Sequence, residues 1–190
     1  TQQKRIMQVH DIMNLLVLIF FTLLIAFEDI IFILFSMYAE VQPIFPLMML
    51  AAIFTILCET TVYGNAIAKR PIFDTIGIAI AFVLNILGCV VFVGHFGFGL
   101  IGAAISLALG NGAMFVFRTL TAQKLYRTIE HPAKTFVAVL LAIALTIVGT
   151  VFSTREDFFI KLAFCGAAAL FYCVLYRPQI SQGWQLAQSL

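Results

Sequence analysis

Seven side chains in this sequence stand where hydrocarbon is expected around them. Glu28, Asp29, Thr55, Glu59, Tyr63, Asn85 and Asn111 all fall inside long apolar runs. Carboxylates in that setting can exchange protons or hold a cation, and amides and hydroxyls can line a hydrated path for a polar solute. An Asp at the centre of a spanning helix costs about 2.5–3.5 kcal/mol on insertion scales, so three acids facing lipid would cost on the order of 8–10 kcal/mol. Glu28, Asp29 and Glu59 are therefore expected to face other helices or water, or to carry protons. Thr55, Glu59 and Tyr63 recur at four-residue spacing and make one stripe of a helix. Glu28, Glu59, Asn85 and Asn111 each fall near the middle of a different apolar run, which predicts a common polar cavity halfway across a membrane. Glu28 and Asp29 are consecutive and point about 100° apart, so one of them is expected near the cavity mouth.

The elements that must position these groups follow from composition. Of the 190 residues 63% are hydrophobic and only 11% are charged, against roughly 45–50% and about 25% in a soluble domain. Mean hydropathy is +1.07. A soluble enzyme, a nucleic-acid binder, a coiled coil and a disordered tail are excluded, since a chain of this size could not hide so much apolar surface from water. Runs of about 20 apolar residues predict an all-α integral membrane protein with six transmembrane helices. They lie at Met13–Met37, Ile44–Ala68, Ile72–Val93, Gly99–Thr121, Thr135–Phe152 and Phe158–Tyr176. Period-2 alternation is absent, which argues against a transmembrane β-barrel. Pro43, Pro46, Pro71 and Pro132 sit at or just before helix starts, and Pro178 follows the last span. Short connections predict that sequence neighbours pack as antiparallel neighbours. The chain opens Thr1-Gln2-Gln3-Lys4-Arg5 and reads as a segment of a longer protein. Its parts are the end of a preceding loop (1–12), a six-helix domain (13–176) and a polar tail (177–190) with Trp184 as an interfacial anchor.

Charge sets the expected orientation. With both ends cytoplasmic, Lys4, Arg5, Lys69, Arg70, Arg118, Lys124, Arg127, Lys134 and Arg177 lie on the inner side, nine of the 11 basic residues. Arg155 and Lys161 lie outside, which is the positive-inside pattern. Arg118 is expected to snorkel to phosphate headgroups. Gly77, Gly88, Gly102, Ser106 and Gly110 form small-residue stripes of the kind that let helices approach closely in lipid. Asn85 and Asn111 read equally well as interhelical hydrogen-bond partners or as cavity groups. Cys58, Cys89, Cys165 and Cys173 read as small buried apolar residues. His10, His95 and His131 lie near interfaces and far apart, so neither a metal site nor a catalytic cluster is expected, and no cofactor.

Three stretches carry a family resemblance. They are Ile30–Phe35 followed by Met37-Tyr38-Ala39, the turn Ala66-Ile67-Ala68-Lys69-Arg70-Pro71 leading to Leu84-Asn85-Ile86, and Gly97-Phe98-Gly99-Leu100-Ile101-Gly102-Ala103-Ala104-Ile105-Ser106. Over residues 5–125 the chain resembles the C-terminal part of the oligosaccharide flippases of polysaccharide biosynthesis. These belong to the multidrug/oligosaccharidyl-lipid/polysaccharide exporter superfamily, with its MATE-like fold. The resemblance implies one lobe, the last six spans, of a 12–14-span transporter whose first lobe would be its partner. It implies transport rather than catalysis: flipping of a polyprenyl-diphosphate-linked oligosaccharide, as for O-antigen and lipopolysaccharide, across a bacterial inner membrane by alternating access. Basic residues to receive the diphosphate are missing from the span centres, so either the other lobe supplies them or the substrate differs. The alternatives are a proton- or cation-coupled multidrug exporter with Glu59 as the coupling group, a membrane-embedded transferase, and a structural membrane subunit.

Overall fold

The computed structural model describes residues 2–126, 129, 132–152 and 158–177. Arg127, His131, Arg155 and the tail from 178 onward, Trp184 included, lie outside the described residues. Among those described, the chain is all-helical. The elements are α1 (Gln2–Ala26), α2 (Glu28–Leu34), a 3-10 stretch (Ser36–Ile44), α3 (Phe45–Thr61), α4 (Tyr63–Ile67), α5 (Ile72–Gly88) with a π-helical extension (Cys89–His95), α6 (Gly99–Leu125), α7 (Pro132–Val151) and α8 (Phe158–Leu175). Six helical segments are long and apolar enough to cross a membrane: Ile6–Ala26, Glu40–Ile67, Ile72–His95, Gly99–Leu125, Pro132–Val151 and Phe158–Leu175.

Five of these follow the sequence-derived spans closely. The first does not. It runs Ile6–Ala26 rather than Met13–Met37, and residues 2–12 are the opening turns of α1 instead of a loop. Hydropathy missed those turns because His10 and Asp11, polar by type, are buried there. His10 is hydrogen-bonded to Thr60 Oγ1 at 2.9 Å and Thr135 Oγ1 at 3.4 Å. Asn14 Nδ2 donates to Tyr176 Oη at 2.6 Å. At the other end Phe27 leaves helical geometry (φ −98°, ψ 6°), and the chain restarts as α2. Glu28 and Asp29 thus lie beyond the first span, not at its middle.

Packing departs from the sequence-neighbour expectation at two places. The central helix α3 packs against α1, α6 and α7, while α6 lies between α3 and α5. Spans two and three, although joined by a short connection, are thereby held apart. Spans four and five are likewise separated, because α7 packs on α3, α1 and α8. The core runs through Leu18, Phe21, Ile25, Leu57, Phe115 and Ala142, with Phe54 and Phe115 stacked at 5.9 Å between α3 and α6.

The contact between α5 and α6 explains the small-residue stripes. Reading along α6, Gly102 lies under Phe92, Ser106 meets Gly88, Gly110 meets the Ala81 carbonyl and Arg118 lies across Gly77. The partner numbers descend as the α6 numbers rise, which is an antiparallel seam of close approaches. Without a hydrophobic force between helices in lipid, such contacts supply the dispersion energy that holds α5. A Cβ on Gly110 would come 2.7 Å from the Ala81 oxygen, whereas one on Gly166 of α8 would meet nothing within 4 Å. Gly110→Ala is therefore expected to destabilise by about 1–3 kcal/mol. Gly166→Ala is expected to be neutral or to stabilise by up to about 1 kcal/mol. Thermal unfolding in detergent micelles checks the pair.

Candidate functional site

Because α6 separates α3 from α5, the gap between those two helices stays open and α6 forms its floor. The result is a lateral groove of about 490 Å³ whose polar groups are Thr55, Asn85 and Asn111, set among Ile78, Phe82 and Met114. Each comes from a different helix. Asn111 Nδ2 donates to the Ala51 carbonyl at 3.2 Å and to Thr55 Oγ1 at 3.4 Å. It ties the groove floor to α3. Asn85 Oδ1 accepts a weak bond from Cys89 Sγ at 3.4 Å, and the side chain lines the groove. Both asparagines thus do some interhelical or local bonding and still line the opening.

Glu59 lies one turn along α3 from Thr55, about 6 Å at 1.5 Å per residue. Its side chain is exposed, as are those of Thr55 and Tyr63 on the same stripe. Among the described residues the Glu59 carboxylate has no hydrogen bond or ion pair. This is a carboxylate within a membrane-length helix that none of the described helices covers.

Glu28 and Asp29 are elsewhere. Both are buried against Lys161 of α8, whose Nζ lies 3.5 Å from Glu28 Oε2 and 2.7 Å from Asp29 Oδ2. Gln42 Nε2 donates to Asp29 Oδ1 at 2.8 Å. The expectation of one cavity shared by Glu28, Glu59, Asn85 and Asn111 is corrected accordingly: the groove takes the last two with Thr55, the open stripe takes Glu59, and Glu28 joins an ion cluster. Although the two acids are consecutive, one long lysine side chain reaches both. Sequence reasoning placed Lys161 among outer surface charges, yet it is fully buried. Its position in a helix stripe with Cys165, Ala168 and Tyr172, all buried, was the available signal.

Arg118 also departs from expectation. Instead of snorkelling to headgroups it is buried, with Nε donating to Asp74 Oδ1 at 3.3 Å. Asn65 Nδ2 donates to the same oxygen at 2.7 Å. Asp74 in the first turn of α5 reaches the stripe of α6 that Gly77 leaves vacant, so a carboxylate within reach outcompetes the membrane surface. Of the cysteines, Cys58 and Cys165 are buried, but Cys89 is half-buried and Cys173 exposed.

The groove is mirrored on the other side of the α3 stripe by an apolar hollow of about 400 Å³ between α1 and α3, lined by Leu16, Phe20, Leu24, Met49, Ile53 and Ile56 among others. Thr55 and Ile56, adjacent in sequence, face the polar and the apolar recess respectively.

No protein-family model, curated protein or solved structure matches the chain.

The chemistry available to the groove is therefore read from its own residues: amide and hydroxyl hydrogen bonding, with a carboxylate one turn away. The Arg118–Asp74 pair serves to hold α5 to α6 and is separate from it. Arg118→Met is expected to destabilise by about 3 kcal/mol, because it leaves Asp74 without its counter-charge in a largely dry site. Adding Asp74→Asn is expected to recover most of that loss. A double-mutant cycle on thermal stability reads the coupling directly.

Proposed function

We propose that the chain is one lobe of a membrane transporter that moves a lipid-linked oligosaccharide from the inner to the outer face of a bacterial inner membrane by alternating access. The observation that carries this reading is the uncovered polar stripe. Thr55, Glu59 and Tyr63 are exposed on α3 beside the groove of Asn85 and Asn111. Polar groups at membrane depth are stable only where they meet partners or water. A water-filled path between two lobes satisfies them, and a sugar headgroup needs such a path across about 30 Å of hydrocarbon.

An amphipathic substrate also suits the two recesses on either side of the stripe, the polar one for hydroxyl-rich rings and the apolar one for a hydrocarbon chain. In this reading the helix packing seams are the rigid parts, the second lobe closes over the exposed face, and both ends of the segment are cytoplasmic. The family resemblance in the sequence supports the same conclusion.

A second reading is favoured by one specific observation, the unpaired Glu59 carboxylate. An exposed anion beside a groove suits a proton- or cation-coupled exporter of small cationic molecules. Glu59→Gln is expected to lower transport at least several-fold while leaving membrane insertion and thermal stability unchanged, since the side chain has no structural partner to lose. Uptake of labelled lipid-linked sugar against a cationic dye, in vesicles holding the complete transporter, distinguishes the two substrates. An unaltered rate for both in Glu59→Gln would remove Glu59 from the mechanism.

A further inference from the structure

The ion cluster at the junction of α1, α2 and α8 is not balanced. Its four carboxylate oxygens have unequal surroundings. Asp29 Oδ1 accepts from Gln42 at 2.8 Å, Asp29 Oδ2 lies 2.7 Å from Lys161 Nζ, and Glu28 Oε2 lies 3.5 Å from the same nitrogen. Among the described residues Glu28 Oε1 and Asp29 Oδ2 have no hydrogen-bond partner. Asp29 Oδ2 is held by the ion pair with Lys161, whereas Glu28 Oε1, on a fully buried side chain, faces no paired charge. Lys161 is equally buried, and Asp29 nearly so at 5% exposure.

Two carboxylates against one ammonium leave one negative charge in excess. Among the described residues no second cation is paired with either acid. The other titratable groups of the surrounding elements that lie near the cluster are the Cys165 thiol, one turn along α8, and Tyr38 and Glu40 on the 3-10 stretch, both exposed. His10 and Asp11 on α1 and Tyr172 and Cys173 on α8 are more than about 15 Å away along their helices at 1.5 Å per residue. None of the near groups adds positive charge. A buried, uncompensated charge is neutralised by uptake of a proton or a cation. The geometry favours the proton: a metal cation needs several oxygen ligands, whereas of the two carboxylate oxygens without a hydrogen bond one, Asp29 Oδ2, is held 2.7 Å from the Lys161 ammonium, which leaves Glu28 Oε1 alone.

We propose that Glu28 Oε1 is a proton-binding site, with Lys161 and Asp29 as its permanent ion pair. The shorter contact to Lys161 and the bond from Gln42 fix the negative charge on Asp29, which leaves Glu28 as the group that takes the proton. In the loaded state Glu28 is a neutral acid and the cluster carries no net charge. Release breaks the Oε1–H bond and gives the proton to water. The new carboxylate then competes with Asp29 for the single ammonium. Lys161 is the side chain by which α8 reaches α2, so the proton steadies a joint between α2 and the last span of the bundle. The inference stands apart from the transport reading, because it rests on the cluster alone.

Infrared difference spectroscopy on the full chain in lipid, with pH stepped from about 5 to about 9, the range in which buried glutamates titrate, tests it. The wild type is expected to show the C=O stretch of a protonated carboxyl group that disappears as pH rises. Isotopic labelling of the glutamate carboxyls is expected to shift that band and Glu28→Gln to abolish it, while Asp29→Asn, which leaves one carboxylate against one ammonium, is expected to make it disappear at lower pH than in the wild type. The labelling needs no variant, so it reads the site even where Glu28→Gln does not fold. Absence of any such band in the wild type, a band that glutamate labelling leaves in place, or one that survives in Glu28→Gln would overturn the proposal.

Discussion

Hydrocarbon offers no hydrogen bonds, and for helices long and apolar enough to cross a membrane that constraint divides the described polar side chains into two populations. One population is sealed inside the bundle with partners of its own. His10 meets Thr60 and Thr135, Asn14 meets Tyr176, Arg118 meets Asp74, and Lys161 meets Glu28 and Asp29. Tyr172 Oη donates to the Ala138 carbonyl in the same way. The other population, Thr55, Glu59 and Tyr63 with the groove amides, is left open on one face. The first set ties helices together. In the second, Asn111 alone among the described residues bonds across helices, to Ala51 and Thr55 of α3, and the exposed groups beside it require partners outside the described helices.

The sealed set also explains the packing order. Thr60 on α3, His10 on α1 and Thr135 on α7 converge on one imidazole, which draws α7 to the α1–α3 side and away from α6. Asp74, Asn65 and Arg118 tie the start of α5 to α6 and to α4. With α7 drawn off and α5 held by α6, the space between α3 and α5 is left unfilled. The groove is thus a by-product of where the buried polar contacts lie, and its residues gain their exposure from contacts made elsewhere.

How much of this was legible in the sequence differs by element. Spans two to six followed from length and hydropathy, because a bilayer demands about 20 apolar residues whatever their partners. The first span was misplaced by several residues since His10 and Asp11 look hydrophilic until their surroundings are known; both are buried. The stripe Thr55, Glu59 and Tyr63 was readable from four-residue spacing, and its exposure agrees with that pattern. The glycine contacts on α5 and α6 were readable as spacing, though not in their register. Lys161 and Arg118 were misread for one physical reason. A long basic side chain near a helix end has two destinations, the headgroups or a buried carboxylate, and only tertiary structure decides between them.

The central claim is that the open polar face of α3 is wet. Labelling of single cysteines by a polar, membrane-impermeant thiol reagent, in a background without the native cysteines and with the chain in its native membrane, measures this most directly. Glu59→Cys and Asn85→Cys are expected to react, and Leu140→Cys, an apolar position on the exposed face of α7, to stay unlabelled. Equal protection at all three positions would mean that the stripe is covered by a dry surface, and the account of a hydrated face would be wrong.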